Sequence, residues 1–228
     1  MNQVLRSAAV SALLLLAAGG WAQAPSVCSS DGQPAPSAVL ERFINADCEG
    51  CWTDLRTAAA GAGEVALDWI VPGGRGEAAP LSAAARREGL ARLSALGRPV
   101  PSDEAVTRRR RDGQPLSLRV AHGLAFNGYV GASIELKEAG RGPWRAWLVL
   151  VETLPAGAER SPVERNLVRN VLQLAWDGSR QQLFESRPMN IPAGADPDRL
   201  RVVGLVEDAR GRLRGIAQSR CTPAPGKG

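Results

Sequence analysis

The chain lacks several residue types on which common sites are built. It has a single histidine among 228 residues, which excludes a metal site made of several imidazoles. A Ser-His-Asp triad would have to use His122. Lysine occurs twice, so the 28 basic residues are almost all arginine, and the formal net charge is +5. Aromatic residues make up only 4%, while 44% hydrophobic and 22% charged residues are typical of a folded globular protein.

Long apolar runs are absent after the N-terminal segment, and that segment indicates an export signal. Arg6 precedes an apolar run at 8–18, and the small residues Ala22 and Ala24 follow it. The run is too short to cross about 30 Å of hydrocarbon. We therefore predict a signal peptide at 1–24, cleaved after Ala22 or Ala24, and a periplasmic or secreted protein without a membrane anchor. Export would allow disulfide bonds.

The first part of the mature chain, residues 25–112, has the pattern of an α/β domain. The runs SAVLERFI and EVALDWIV are rich in strand-forming residues and nearly continuous in apolar character. Each run is followed by helix-compatible residues, and a strand, helix, strand order predicts a right-handed parallel unit. The predicted elements are strands at 37–44 and 64–71 and helices at 48–60, 80–96 and 102–111. Gly97 is the expected C-terminal cap of the second helix.

The second part, residues 113–221, is dominated by strand signals. Its runs of β-forming residues are separated by turns that contain glycine. The predicted strands are 116–121, 128–137, 144–154, 167–176, 182–191, 199–206 and 213–219. The run 167–176 is also compatible with a helix, and the turn Asp177-Gly178 that follows it favours a strand. This number of short strands favours an antiparallel β-sandwich-like domain. Residues 222–228 have no large apolar side chain and are predicted to form a mobile tail.

The four cysteines carry the most specific chemical signal. Cys48 and Cys51 form a CxxC motif between a strand and a predicted helix, which would place Cys48 at the helix N-terminus, where the dipole favours a thiolate. Cys48 would then be the attacking sulfur, and Cys51 would resolve the mixed disulfide. The carboxylate of Glu49 would disfavour the thiolate and make a strongly oxidising pair unexpected.

Other readings of the cysteines stay open. A CxxC can be half of a zinc site, for which only Cys28, Cys221, His122 or carboxylates remain as further ligands. It can also be an inert disulfide that stiffens a turn. If the CxxC forms its own bond, Cys28 and Cys221 are left for each other and would join the two ends of the mature chain. No metal site is predicted.

Four segments resemble a known family. VLERFINADCEGCW and LDWIVPGG near the start, with RNLVRNVLQLAWDG and RGIAQSRC near the end, are similar to exported bacterial thioredoxin-like proteins of uncharacterised function. The resemblance implies an α/β thioredoxin-like N-terminal half followed by the β-sandwich-like C-terminal half. It also implies redox-active Cys48 and Cys51, and a cis-proline facing them, for which Pro101 is the candidate.

Two functions follow as expectations. The first is a periplasmic thiol-disulfide oxidoreductase that acts through Cys48 and Cys51 on protein thiols or disulfides and exchanges electrons with a redox partner. The second is a non-enzymatic binding or scaffold protein with a structural CxxC disulfide. Neither needs a cofactor. The arginines at 108–111 are read as a solvated helix end, so no nucleic acid partner is expected. The sequence does not indicate an oligomeric state.

Overall fold

A computed structural model describes residues 28–177, 179 and 183–221, and shows two β-sheets. The predicted signal peptide at 1–24 and the predicted tail at 222–228 lie outside the described residues. The strands are β1 (Cys28–Ser29), β2 (Ala38–Asn45), β3 (Glu64–Val71), β4 (Glu104–Arg110), β5 (Ser117–Phe126), β6 (Tyr129–Lys137), β7 (Trp144–Leu154), β8 (Arg165–Trp176), β9 (Leu183–Asn190), β10 (Leu200–Asp208), β11 (Leu213–Gln218) and β12 (Arg220–Cys221). The α-helix of the described part is α1 (Arg87–Ala95).

The strands form one sheet of seven and one of five. The larger has the order β11-β10-β7-β8-β3-β2-β4, and the smaller has the order β12-β1-β5-β6-β9. Strands β2 and β3 run parallel over their full length, as the strand, helix, strand pattern predicted. The predicted domain boundary lies between residues 112 and 113. The larger sheet contains strands from both sides of this boundary.

The predicted α/β thioredoxin-like half is wrong, because the described chain is mostly β-sheet with little helix. Residues 48–60 contain only a 3-10 turn, Glu49–Trp52. The predicted helix at 102–111 is instead strand β4, which pairs antiparallel with the free edge of β2. Pairing with β2 satisfies the backbone of β4 and overrides a composition that also suits a helix.

Local patterns elsewhere predicted the elements well. Each of the seven strands expected between 113 and 221 is present, with shifts only at the ends. Helix α1 is shorter than predicted and closes with a Schellman motif, in which Gly97 N donates to Ser94 O at 3.0 Å and Arg98 N to Leu93 O at 2.9 Å. Gly97 has a φ of +63°, which explains glycine there. None of the helices in the described residues is long and apolar enough to cross a membrane.

The larger sheet is buried on both faces. One half of its first face packs against the smaller sheet through side chains such as Ile134, Leu148 and Val202. The opposite face carries Trp69, Trp147 and other apolar residues and is covered in part by α1. The remaining half of the first face, above β2 and β3, is covered by the segment that contains the CxxC. The segment that contains the CxxC therefore forms part of the hydrophobic core.

Candidate functional site

The CxxC lies directly after β2, at the edge where the carboxyl ends of the parallel strands β2 and β3 meet. Cys48 and Cys51 form a disulfide with their Cα atoms 5.5 Å apart. Cys48 is half-buried and Glu49 and Gly50 are exposed, whereas Cys51 is 9% exposed and packs in the core. The two cysteines therefore differ in their exposure to solvent.

The loop after β3 holds the residue before the motif. The carboxylate of Asp47 accepts hydrogen bonds from Gly74 N at 2.7 Å and Arg75 N at 3.2 Å. Gly73 passes so close that a Cβ there would lie 2.4 Å from Asn45 Oδ1 and 2.4 Å from Asp47 Cγ. A larger residue at this position would therefore displace the side chains of Asn45 and Asp47, which precede the CxxC.

Pro101, the predicted cis-proline, lies near the motif. Its carbonyl accepts a hydrogen bond from Asn45 Nδ2 at 2.8 Å, and Asn45 precedes Cys48 by three residues. The cis peptide bond recorded in the described part of the chain is Gly142–Pro143, at the start of β7. The structure thus brings Pro101 toward the CxxC loop through its carbonyl, without the cis geometry that the resemblance implied.

A buried ion cluster, formed by Arg42, Asp68 and Arg165, lies beneath the CxxC segment. All three side chains are fully buried. Arg42 binds both carboxylate oxygens of Asp68, at 2.7 and 2.8 Å, and Arg165 Nη1 binds Oδ1 at 2.9 Å. Such charge-assisted bonds are stronger and more directional than neutral ones. The cluster therefore forms a rigid polar base for this face of the sheet.

The same arginines hold the chain that follows the motif. Arg165 Nη2 donates to the carbonyl of Trp52 at 2.9 Å, and its guanidinium lies 4.7 Å from the Trp52 ring centroid. Arg42 Nη1 donates to the carbonyl of Ala58 at 2.6 Å. The two backbone carbonyls thus accept hydrogen bonds from arginine side chains of the sheet. These bonds explain how a non-helical segment at 52–58 remains ordered.

An apolar cleft of about 250 Å³ opens next to Trp52, the residue that follows the CxxC. Cys48 and Cys51 belong to the same hydrophobic cluster as much of its lining. The cleft is lined by Trp52, Ile70, Leu81, Ala84, Glu159, Arg160 and Leu167. Glu159 and Arg160 have φ values of +49° and +62°, so the turn at its rim is strained. Leu55, three residues beyond Trp52, is 88% exposed.

Glu104 is a titratable group that the sequence reading missed. It is the register partner of Ile44 on the same face as the CxxC segment, and its Oε1 is buried without a hydrogen-bond partner among the described atoms. Burial raises the pKa of Glu104 above its usual 4.5, although Arg165 and Arg42 act in the opposite direction. The sequence did contain a signal for the polar groups on this face. A charged residue within an apolar run, such as Asp68 in EVALDWIV, indicates a buried charge.

Arg109, one of the four arginines expected at a solvated helix end, lies instead in an ion cluster. Arg109 lies on β4 and binds Glu207 at 2.7 Å, and Arg92 of α1 binds Glu207 at 2.9 Å and Glu41 at 2.7 Å. Burial acts to raise the pKa of Glu207, but the charges and hydrogen bonds of the two arginines outweigh it and hold that pKa below 4.5. This cluster lies on the face opposite the CxxC and stabilises α1 against the sheet.

The second pair of cysteines lies in the smaller sheet, whereas the CxxC follows a strand of the larger sheet. Cys28 of β1 and Cys221 of β12 are opposite each other and form a disulfide with Cα atoms 3.9 Å apart. The ligand atoms of these two residues and of His122 lie within 4.8 Å of one another. Burial lowers the pKa of His122 below 6.5, with the nearby charge of Arg201 adding to the effect.

Fold and site together define a two-sheet β protein with a CxxC disulfide at the edge of a mixed sheet. No family model and no curated protein matches the chain. One solved structure, a structural genomics target from Agrobacterium tumefaciens, is 18% identical, covers 86% of this chain and 99% of its own, and has a TM-score of 0.45. A likeness at this level carries no argument about function, and the comparisons do not indicate a thioredoxin-like family.

Proposed function

We propose that the protein is an exported thiol-disulfide oxidoreductase whose reactive pair is Cys48 and Cys51. The observation that carries this proposal is the unequal exposure of the two cysteines. Cys48 is half-buried, and Cys51 is 9% exposed and belongs to the buried core. Dithiol exchange needs this arrangement, because one sulfur must meet the substrate while the other is shielded and attacks only within the mixed disulfide.

The reaction proceeds in two balanced exchanges. The Cys48 thiolate attacks one sulfur of a substrate disulfide, forms a mixed disulfide and releases the other substrate sulfur as a thiolate. Cys51 then loses its proton and attacks Cys48 Sγ, which closes the Cys48–Cys51 bond and releases the second substrate thiolate. The substrate gains two electrons and the protein loses two. A dithiol donor in the same compartment returns them for the next turnover.

The surroundings of the disulfide support this role. The apolar cleft next to Trp52 has the size and chemistry to take one hydrophobic side chain of a protein substrate. Leu55 adds an exposed apolar side chain to the segment that follows the motif. The ion cluster beneath keeps Trp52 and the motif in place while the bond opens and closes. Glu104 lies on the same sheet face as the CxxC segment and has a raised pKa, so it is a candidate for proton transfer in this reaction.

Trapping of the mixed disulfide tests the proposal. The variants are made in a background of Cys28→Ser and Cys221→Ser. The variant Cys51→Ser should form mixed disulfides with a model protein whose own disulfides have been reduced and then re-oxidised. The matched variant Cys48→Ser should form few mixed disulfides. In reduced protein, iodoacetamide should alkylate Cys48 faster than Cys51 at pH 7, as measured by peptide mass spectrometry. If neither sulfur reacts until the protein is denatured, the disulfide is structural and the binding or scaffold role replaces the redox role.

A further inference from the structure

Three potential metal ligands meet at one end of the smaller sheet. In the register of that sheet, Cys28 lies opposite Cys221 on one side and opposite His122 on the other. Residues at the same register position point to the same face of a sheet, so the three side chains lie together; Cys28 and His122 are buried, and Cys221 lies at the surface. Their ligand atoms lie within 4.8 Å of one another.

His122 is arranged as a ligand whose coordinating atom is free. The residue is only 5% exposed. Its Nδ1 lies 3.0 Å from the carbonyl oxygen of Gly123, a contact that places the proton on Nδ1 and the lone pair on Nε2. Nε2 is buried and has no partner in good hydrogen-bonding geometry among the described atoms, although the backbone of Leu200 also contacts the ring. A backbone carbonyl on one ring nitrogen and a free second nitrogen is the usual arrangement of a histidine that binds a metal.

We propose that reduction of the Cys28–Cys221 disulfide creates a zinc site from Cys28, Cys221 and His122. With Zn–S and Zn–N distances of about 2.3 and 2.0 Å, a tetrahedral ion needs ligand atoms roughly 3.5–3.8 Å apart. The observed limit of 4.8 Å is within a side-chain adjustment of that range, once the two sulfurs are no longer bonded.

The fourth position of the ion would face a cavity. A space of about 400 Å³ is bordered by the three ligands and by Leu200 and Arg201, among others, and can admit a water molecule as the fourth ligand. Two thiolates balance the charge of Zn²⁺, so the filled site is electrically neutral. A single open position is the feature that distinguishes reactive zinc sites from closed structural ones.

Reduction and metal binding are two separate steps. A dithiol reductant gives two electrons to the Cys28–Cys221 bond and becomes a disulfide itself, which leaves two cysteine thiols. Binding of Zn²⁺ then displaces one proton from each thiol. Exchange with a second disulfide, which takes up the two electrons and becomes a dithiol, re-forms the Cys28–Cys221 bond and releases the ion. The site therefore exists only in the reduced protein and is independent of the redox role proposed for the CxxC.

A cobalt titration of the reduced protein tests the site. The protein carries Cys48→Ser and Cys51→Ser, so only the proposed ligands remain as thiols; it is reduced with a phosphine, which is removed without air. One equivalent of Co²⁺ should give thiolate charge-transfer absorption and the visible bands of a tetrahedral ion, and Zn²⁺ should abolish both. The unreduced protein should give neither signal.

Two matched variants decide the outcome. His122→Ala should weaken the binding of Co²⁺ at least roughly tenfold, since even outer-sphere partners of metal ligands cost that much. Replacement of Cys28 and Cys221 by serine should remove the charge-transfer absorption. Equal binding by the His122→Ala variant, or by the serine variant, would overturn the proposal. If reduction unfolds the chain, Zn²⁺ must restore the circular dichroism of the fold in the protein that carries only Cys48→Ser and Cys51→Ser. Failure of Zn²⁺ to do so would also overturn the proposal.

Discussion

Replacement of Asp68 by asparagine tests the importance of the ion cluster beneath the CxxC. Asp68 is 0% exposed and accepts four hydrogen bonds, two from Arg42, one from Arg165 and one from Asn166 N. Asparagine has nearly the same shape but no charge, and its amide nitrogen would face donors. Two buried guanidiniums would therefore lose their counter-charge.

The size of the effect follows from the burial. Removal of one partner from a buried ion pair costs about 3–5 kcal/mol, because the remaining charge stays out of water. Domains of ordinary stability have about 5–15 kcal/mol in total. With a urea slope of about 2 kcal/mol per molar, the unfolding midpoint should fall by roughly 2 M. The loss should be accompanied by faster alkylation of reduced Cys51, because Arg165 would no longer hold Trp52.

Urea unfolding followed by circular dichroism measures the effect against a matched control. Asp54→Asn removes the same charge from an exposed pair with Arg56, whose side chain is 90% exposed, and should leave the midpoint unchanged. If Asp68→Asn lowers the free energy of unfolding by less than about 1 kcal/mol, the reasoning from burial is wrong.

Three further outcomes are expected. Gly204→Ala should destabilise the fold by about 1–3 kcal/mol, because its Cβ would lie 2.6 Å from a side chain of the facing sheet, whereas Gly131→Ala, which meets nothing within 4 Å, should be neutral in thermal melts. The pKa of Glu207 is lower in the folded state, so its contribution to stability is present above pH 4.5 and is lost as pH falls below that value; Glu207→Gln should flatten the acid limb of stability against pH. Replacing Cys28 and Cys221 by serine opens a loop of 193 residues and should cost roughly 5 kcal/mol by the chain-entropy model, against roughly 2 for the local disulfide, so equal losses in urea unfolding would contradict the model.

Strands were predictable where their signals are local. The runs of β-forming residues and the glycine turns between 113 and 221 predicted strands that the structure confirms. The parallel pairing of β2 and β3 also followed from sequence order. These features depend on neighbouring residues, so a single segment contains most of the information.

The elements that were predicted wrongly depend on distant partners. The run EAVTRRR is compatible with a helix, but Arg109 meets Glu207, which is 98 residues away, only when the run is a strand beside β2. Residues 48–60 are likewise not helical, because Arg42 and Arg165 take the carbonyls of Ala58 and Trp52. Neither partner can be found from the composition of the segment itself.

The sequence by itself determined the chemistry that the chain can use: one CxxC, two further cysteines, one histidine and an excess of arginine. It also determined most of the strands, since short runs of β-forming residues predict them. Tertiary structure alone decided which of these groups meet. It placed His122 beside the Cys28–Cys221 disulfide and put Arg165 next to Asp68, 97 residues earlier in the chain. Contacts of this kind arise from the pairing of strands and the packing of sheets, and no local pattern encodes them.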